Sequence, residues 1–423
     1  MVRETKHTEI GDIPADWELQ TFEETFRILS NNTLSRENFN NRGGAVRNIH
    51  YGDILTQFTE VLDCSENEIP YVNDLSLLTA STQLLQDGDI VIADTAEDET
   101  VGKVTEVQGL RKDKLVAGLH TIPCRVKKGD FAPGWLGYYM NTNNYHNQIV
   151  PFITGIKVSS ISKTEIAKTL ILIPSLEEQK AIIQVLSEIE SLISAEIKVI
   201  NKIKAVKKGC LSKMFPKNGE FVPEMRLPGF TGDWEQRKLI DISEIVTGTT
   251  PPTRDKDNYG GIKLFVSPAD IQGNRYVNNT ITTLTEKGFD LGRKLRPGTT
   301  LFVSIGSTIG KVAQIKDFAT SNQQINAVIP FEFMDDNYVF SMLEKEAEKI
   351  KKMSAQQAVP ILNKTTFGDA EIMYPSRDEQ VKIGEYFSNL DNLINIHQRK
   401  LEKYKSIKQG MMSDLLTGKI RLV

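Results

Sequence analysis

The turn from Ser304 to Val312 is the part of this chain whose residue spacing comes nearest to a catalytic motif. It reads Ser-Ile-Gly-Ser-Thr-Ile-Gly-Lys-Val. A nucleotide hydrolase cradles phosphate with four residues between the two glycines, and a Ser or Thr after the lysine binds magnesium. Here three residues separate Gly306 from Gly310, and Val312 follows the lysine. The pattern fails at both positions, so we expect no ATP hydrolysis.

Other residues suited to catalysis or metal binding are also badly spaced. The five histidines show no metal-ligand spacing: His7, His50, His120, His146 and His397. No Asn/Asp-Pro-Pro-Tyr/Phe stretch occurs, which argues against methyl transfer. The three cysteines stand far apart without a C-x-x-C pair, which predicts a reducing, cytoplasmic location. We therefore expect a chain that is not an enzyme, binds no metal and holds no cofactor of its own.

Length and charge set the next bounds. A chain of 423 residues with 39% hydrophobic content implies two to four domains. No apolar run approaches the ~20 residues that cross a bilayer. The net charge of −4 argues mildly against coating nucleic acid through bulk charge. It leaves room for a locally basic groove, which is what matters for binding.

The sequence contains an internal repeat, which covers the elements that must position any functional site. Residues 174–215 align without a gap to residues 375–416 at an offset of 201, and 13 of these 42 positions are identical. Apolar residues in both copies recur at alternating spacings of four and three, which predicts two long coiled-coil helices. Both seams are interrupted at the same layers, Glu196/His397 and Lys207/Lys408. We expect the helices to pair with each other, with His397 near Glu196.

The segments before the two helices also repeat. Val101-Gly102-Lys103-Val104 is answered by Ile309-Gly310-Lys311-Val312, and Leu119–Pro123 by Asn326–Pro330. The predicted fold class is α+β: two homologous globular domains, each followed by a long helix, with the helices forming an antiparallel coiled coil of pseudo-two-fold symmetry. The predicted limits are 1–173 and 217–374 for the domains, 174–216 and 375–416 for the helices, and 417–423 for a tail.

Five stretches of the sequence together resemble one known family, the specificity subunits of type I restriction–modification enzymes. The matching stretches are Ile10-Gly11-Asp12-Ile13-Pro14 with Trp17, Ile173-Pro174-Ser175-Leu176-Glu177-Glu178-Gln179, Met214-Phe215-Pro216, Pro228-Gly229-Phe230 with Trp234-Glu235, and Leu415–Arg421. The resemblance covers essentially the whole chain.

That resemblance implies a non-catalytic DNA-binding role. In the family, each globular unit is a target recognition domain that reads one half of a bipartite site in double-stranded DNA. The long helices form the spacer and dock two modification methyltransferase subunits, and restriction/translocase subunits join that core. S-adenosylmethionine, ATP and Mg would belong to those partner subunits.

Within the second unit, side-chain chemistry suggests DNA contacts. Asn322, Gln323 and Gln324 carry amides, which pair bidentately with adenine in the major groove. Small residues and free backbone N–H groups let a turn approach phosphate closely. The candidates in that turn are Ser304, Gly306, Ser307, Thr308 and Lys311. The candidates for further phosphate contacts are Arg254, Lys256, Arg275, Arg293, Lys294 and Arg296.

The first unit differs because its matching turn is acidic, with Asp94, Glu97, Asp98 and Glu99. Acidic groups repel phosphate unless one accepts a hydrogen bond from cytosine N4. The candidate contacts here are Lys103, Arg111, Lys112, Lys114, His120, Lys157, Ser159, Ser160 and Lys163.

Both helices carry apolar residues outside the seam, which predicts a subunit interface. These residues are Val185, Leu192, Val199, Val206, Tyr386, Leu393 and Ile407. Two alternatives stay open from the sequence: a coiled-coil scaffold or homodimer without DNA recognition, and an autonomous nuclease or ATPase.

Overall fold

The computed structural model describes residues 4–155, 157–354 and 360–422. These form two compact units, Met1–Ser194 with Glu402–Val423, and Ala195–Leu401. The end points 1 and 423 of the predicted domain limits lie outside the described residues. Each unit therefore combines one globular part with segments of both long helices.

The first unit contains fifteen strands among its described residues. They are β1 (Thr5–Thr8), β2 (Gly11–Pro14), β3 (Glu18–Thr21), β4 (Phe26–Ile28), β5 (Phe39–Asn40), β6 (Val46–Ile49), β7 (Val61–Asp63), β8 (Tyr71–Val72), β9 (Ile90–Ala93), β10 (Thr95–Ala96), β11 (Val104–Gln108), β12 (Lys114–Ala117), β13 (Thr121–Val126), β14 (Ser159–Ser160) and β15 (Leu170–Ile173). The helices up to the first long one are α1 (Phe22–Thr25), α2 (Tyr51–Thr56), α3 (Trp135–Tyr139), α4 (Asn143–Ile149), α5 (Lys163–Ile166) and α6 (Leu176–Lys213).

The second unit has a shorter set of the same kind. Its strands are β16 (Glu235–Lys238), β17 (Ser243–Thr247), β18 (Tyr259–Val266), β19 (Tyr276–Val277), β20 (Thr283–Leu284), β21 (Thr300–Val303), β22 (Val312–Ile315), β23 (Ala319–Ser321), β24 (Ile325–Pro330) and β25 (Glu371–Tyr374). The remaining helices are α7 (Leu239–Ile242), α8 (Glu286–Leu291), α9 (Asp336–Lys351), α10 (Lys364–Gly368) and α11 (Arg377–Leu415).

The main sheets of the two units share one topology. The first has the order β4-β13-β9-β11-β7 and the second β17-β24-β21-β22-β19. In both, the last pair is parallel and the others are antiparallel. The third strand of each sheet, β9 or β21, is buried along its whole length. This explains its unbroken run of mainly apolar residues, since such a strand has no solvent face. The predicted homology of the globular domains is confirmed.

Strand register corrects one part of the predicted repeat. Phe26 and Ser243 begin equivalent strands, and their partners are Val126 and Pro330. Pro330 thus corresponds to Val126 and not to Pro123, so the match of Asn326–Pro330 to Leu119–Pro123 was wrong by three positions. The sequence match had aligned the two prolines, which both lie in short apolar runs. The true equivalence is defined by the hydrogen bonds between neighbouring strands.

Two local breaks shape the first unit. The segment from Trp135 to Ile149 forms two helices, α3 and α4, because the Thr142 hydroxyl caps α4 by accepting from the Tyr145 N–H. Val101–Lys103 form a turn before β11, and Gly102 has a φ of 89° there.

The long helices pack antiparallel within each unit. In the first unit, Ile182 and Leu186 of α6 share a core with Met412 and Leu415 of α11. In the second, Cys210 of α6 packs against the core that holds Ile383 and Phe387 of α11, and its Sγ lies 3.3 Å from the Tyr386 hydroxyl. Early residues of one helix thus meet late residues of the other, and the predicted antiparallel pairing is confirmed.

The predicted polar layer at Glu196 and His397 is present. The His397 Nδ1 contacts the Glu196 Oε1, and the Lys400 ammonium lies 3.0 Å from the Glu196 Oε2. The hydrogen bond from His397, followed by that from Lys400, lowers the pKa of Glu196. The layer therefore holds a carboxylate and not a neutral acid.

The repeated Glu-Gln pair explains how each helix is joined to its globular part. Gln179 accepts a hydrogen bond from the Ala132 N–H, and Gln380 accepts one from the Asp335 N–H. Glu178 is fully buried and accepts from the Arg421 guanidinium, while Glu379 accepts from Arg226. An arginine that follows each long helix thus pairs with a glutamate at the start of the other long helix.

Among the described residues, no helix is both long and apolar enough to cross a membrane.

Candidate nucleic-acid interface

The same end of the main sheet carries an equivalent loop framework in both units. In the first, the Asp94 N–H donates to the His120 carbonyl at 3.1 Å, and the Ile161 N–H donates to the Asp94 carbonyl at 2.9 Å. In the second, the Ser304 N–H donates to the Gln324 carbonyl at 2.8 Å, and the Leu362 N–H donates to the Ser304 carbonyl at 2.8 Å. Asp94 therefore corresponds to Ser304. Along the corrected strand register, His120 corresponds to Gln324.

His120 is the most exposed polar group of the framework in the first unit. Its φ of 55° lies in the left-handed region, which histidine adopts more readily than most residues. Its Nδ1 lies 3.2 Å from the Thr95 Oγ1 and 3.5 Å from the Asp94 Oδ1. The Tyr51 ring meets the imidazole edge-on, with centroids 5.2 Å apart. These contacts engage Nδ1 and leave Nε2 as the ring nitrogen for an outside partner.

Two predicted serines lie beside this histidine. Thr95 pairs with Ser160, and Ala96 pairs with Ser159, across a short antiparallel ladder. The exposed residues Lys157 and Lys163 flank that ladder in sequence. The structure thus brings His120, Ser159 and Ser160 together at one edge.

The turn next to this edge is rich in acidic residues. Glu97, Asp98 and Glu99 are all exposed. Hydrogen bonds from the Thr100 hydroxyl, followed by its N–H, lower the pKa of Asp98. A carboxylate in this turn can accept a hydrogen bond from a cytosine amino group but repels phosphate.

The amide cluster of the second unit is ordered by its neighbours. The Asn322 Nδ2 donates to the Gln324 Oε1 at 3.1 Å, and the Thr250 hydroxyl donates to the Gln323 Oε1 at 2.6 Å. Gln323 is exposed, whereas Asn322 and Gln324 are half-buried. With its carbonyl oxygen engaged by Thr250, Gln323 presents its amino group outward as a donor.

The glycine-rich turn lies against this cluster. The Ser304 side chain is buried, and its Oγ accepts from the Asn326 Nδ2 at 2.9 Å. The Gly306 N–H donates to the Pro360 carbonyl at 3.1 Å, and Gly306 has a φ of 99°. Ser307 is exposed and Thr308 half-buried. Ser304 and Gly306 therefore shape the turn, while Ser307 is its accessible hydroxyl.

Some predicted cationic residues share this edge. Arg254 and Lys256 are exposed in the loop that also carries Thr250. The Arg293 guanidinium donates to the Thr247 carbonyl at 2.6 Å, at the start of the same loop. Together they place positive charge beside the amide cluster.

Other predicted cationic residues are engaged within the protein. The Lys103 ammonium donates to the Leu55 carbonyl and that of Lys311 to the Ile271 carbonyl, both at 3.2 Å. Arg275 is buried and donates to the Gln314, Asn337 and Asp391 side chains. Arg296 pairs with Asp336, and Lys294 with Asp290.

Arg111, Lys112 and Lys114 lie apart from His120. Arg111 and Lys112 occupy the connection after β11 and Lys114 begins β12, whereas His120 directly precedes β13 and lies near the start of β11. A strand of five residues, about 17 Å at ~3.4 Å per residue, separates the two ends. The structure does not bring these two groups of predicted contacts together.

Tyr51 and Thr250 were missed as members of these edges. Tyr51 contacts His120, and Thr250 orients Gln323. The turn Gly248-Thr249-Thr250-Pro251-Pro252 was a usable signal for the second. Tyr51 had none, because its contact joins residues 51 and 120 through the fold alone.

The predicted subunit interface follows the surface of the long helices. Leu192, Val199 and Val206 recur every seven residues along α6 and are 47%, 38% and 45% exposed. Leu393 and Ile407 of α11 are also exposed. Val185 and Tyr386 are partly buried against the cores of their own units. Within the second unit, Val199 and Val206 of α6 therefore form an apolar patch, Val199/Val206, that α11 leaves uncovered.

Comparison with known proteins defines the class. The family model described as type I restriction modification DNA specificity domain matches residues 14–205 and again 231–405. The chain belongs to this family, the non-catalytic specificity subunits of type I restriction–modification systems. The two matches confirm the predicted family and the prediction that the chain is not an enzyme.

Individual relatives agree with this assignment. The chain is 27% identical over 99% of its length to a putative type I restriction enzyme MjaX specificity subunit from Methanocaldococcus jannaschii, covering 96% of that protein. It is 26% identical over 44% of its length to the HindI specificity subunit of Haemophilus influenzae, covering 42% of it. The crystal structure of the type I specificity subunit from M. genitalium has the same fold, with a TM-score of 0.60 at 13% identity, covering 98% of this chain and 99% of that one.

Proposed function

We propose that this chain reads a bipartite site in double-stranded DNA, one half with each globular part. The supporting observation is the equivalent loop framework, which carries different outward groups in the two units. The first presents His120 beside Asp94, and the second presents Gln324 beside Ser304. A shared framework with exchanged polar groups suits two surfaces that read different bases in one manner, since base edges are distinguished by their donors and acceptors.

The chemistry of each edge suggests a division of roles. Arg254, Lys256 and Arg293 supply phosphate contacts to the second unit, and Lys157 and Lys163 supply them to the first. Such contacts fix register without carrying sequence information. His120 and the Gln323/Gln324 amides are the proposed base-reading groups.

Footprinting of the chain assembled with modification subunits tests this proposal. On DNA selected from a random pool, we expect two protected patches separated by a spacer. His120→Ala should weaken one patch and Gln324→Ala the other. The exposed residues His7 and Gln272 provide matched controls, His7→Ala and Gln272→Ala. A single continuous patch, or both variants weakening both patches equally, contradicts the proposal.

We also propose that the Val199/Val206 patch docks a modification methyltransferase subunit, with restriction/translocase subunits joining that assembly in the cytoplasm. S-adenosylmethionine, ATP and Mg would then be bound by the partners. The exposure of two apolar residues one heptad apart supports this assignment, because exposed apolar patches mark protein interfaces. Val199→Glu should abolish copurification with modification subunits, whereas Ser194→Glu, on another face of α6, should not. Retained copurification of the Val199 variant refutes the assignment.

A further inference from the structure

Lys207 forms a buried ion cluster in the second unit. It lies on α6 and is 7% exposed. Its ammonium is 2.6 Å from the Asp391 Oδ1 on α11 and 2.6 Å from the Glu344 Oε2 on α9. It also lies 5.8 Å from the centre of the Phe340 ring on α9. One lysine thus contacts the facing long helix and the globular part together.

Lys408, its counterpart in the sequence repeat, forms the same kind of cluster in the first unit. It lies on α11, with its ammonium 2.6 Å from the Glu190 Oε2 on α6 and 2.6 Å from the Glu60 Oε2 just before β7. The Tyr138 ring of α3 lies 5.5 Å away. Each cluster therefore contains the same four parts: a lysine of one helix, a carboxylate of the other, and a carboxylate and an aromatic ring of the globular part. The Lys207 cluster contains Arg275 as well, which also donates to Asp391.

Seam packing alone does not explain these clusters. A lysine that is merely tolerated at a seam position extends its ammonium to water. The ammonium groups of Lys207 and Lys408 instead contact carboxylates of the globular parts. Burial acts to lower the pKa of Lys408, but Glu60 and Glu190 outweigh it and the pKa is raised, so the ammonium stays charged. Buried ion pairs add little net stability compared with apolar packing, yet they are directional and costly to break.

We propose that Lys207 and Lys408 are positioning residues, each of which fixes the orientation of a globular part on the paired helices and so sets how strictly the half-site spacing is read. This inference rests on the proposed function. A globular part that tilts on its helices still presents the same base-reading groups. What changes is the distance at which its half-site must lie.

The experiment compares methylation of DNA duplexes with the native spacer and with spacers one base pair shorter or longer. Complexes containing Lys408→Met or Lys207→Met should lose preference for the native spacer by about tenfold, the factor that a hydrogen bond to a charged group represents. Both half-site sequences should stay unchanged. Lys403→Met and Lys202→Met are matched controls, because they lie on the same helices, are also identical in the repeat and are exposed.

Two milder variants cover the case in which loss of a buried lysine unfolds the protein. Glu60→Ala and Glu344→Ala remove only the carboxylate of the globular part and leave the contact between the helices. They too should relax the spacing preference. A wild-type complex that methylates no bipartite site overturns the proposed function itself. A wild-type complex that does so, with unchanged spacing preference in both carboxylate variants, overturns this inference alone.

Discussion

Replacing Arg226 by methionine should strongly destabilise the second unit. The guanidinium donates from Nε to the Glu379 Oε1 at 2.8 Å and from Nη2 to the Oε2 at 2.7 Å. Glu379 is only 1% exposed, so water cannot replace these bonds. Removing one partner of a buried pair costs about 3–5 kcal/mol. For a unit of this size, that corresponds to a fall in Tm of about 6–20 °C.

Two measurements test this prediction: the Tm from thermal unfolding, and backbone amide hydrogen exchange of the folded protein. Amide exchange should accelerate around the start of α11. The backbone amides around Glu178, which pairs with Arg421 in the first unit, should keep their protection. Arg237→Met is the matched control, because Arg237 pairs with Glu235 on the surface, where water screens the pair, and its loss should leave Tm nearly unchanged. The double variant Arg226→Met/Glu379→Gln should recover part of the loss, because no unpaired charge stays buried. An Arg226 variant within about 1 kcal/mol of wild type would refute the reasoning.

Two further predictions concern Glu106 and the helices. Glu106 accepts from the Gly134 and Gly137 N–H groups, and its burial raises its pKa above the ordinary 4.5. The folded state therefore favours the neutral acid, and this contribution to stability is present below pH 4.5 and is lost as the pH rises toward the folded pKa. Compared with that of Glu106→Gln, the Tm of the wild-type protein should fall as the pH is raised above 4.5; a relative rise contradicts this sign. Separately, inserting seven residues after Glu196 and seven at His397 keeps the heptad phase and adds about 10 Å of helix. Sequencing of methylated sites should show a spacer longer by up to about three base pairs, less any part absorbed by DNA bending. An active complex that keeps the original spacing would show that the length of the long helices does not set the distance between the half-sites.

The repeat and the helices were predictable because both are periodic signals within the chain. Heptad spacing gives the buried face of a helix directly, and a gapless offset of 201 shows that the second helix keeps the same register. The layer at Glu196 and His397 followed from the same pattern.

The contacts between distant residues were not predictable in this way. Lys207 and Lys408 read as interruptions of the seam, because their partners Glu344 and Glu60 lie 137 and 348 residues away. The strand equivalence of Pro330 was misjudged because hydrogen-bond register, and not residue identity, defines it. Arg275 looked like a surface cation, since nothing local marks a guanidinium that pairs with Gln314 inside the protein.

The proposal that each globular part reads its own half of the DNA site can be tested by exchanging one part. Residues 20–157 are replaced with the corresponding segment of another family member, and the methylated sites of a host genome are mapped. One half-site should change, while the other half-site and the spacer length should stay as they were. Changes on both sides of the spacer would contradict it.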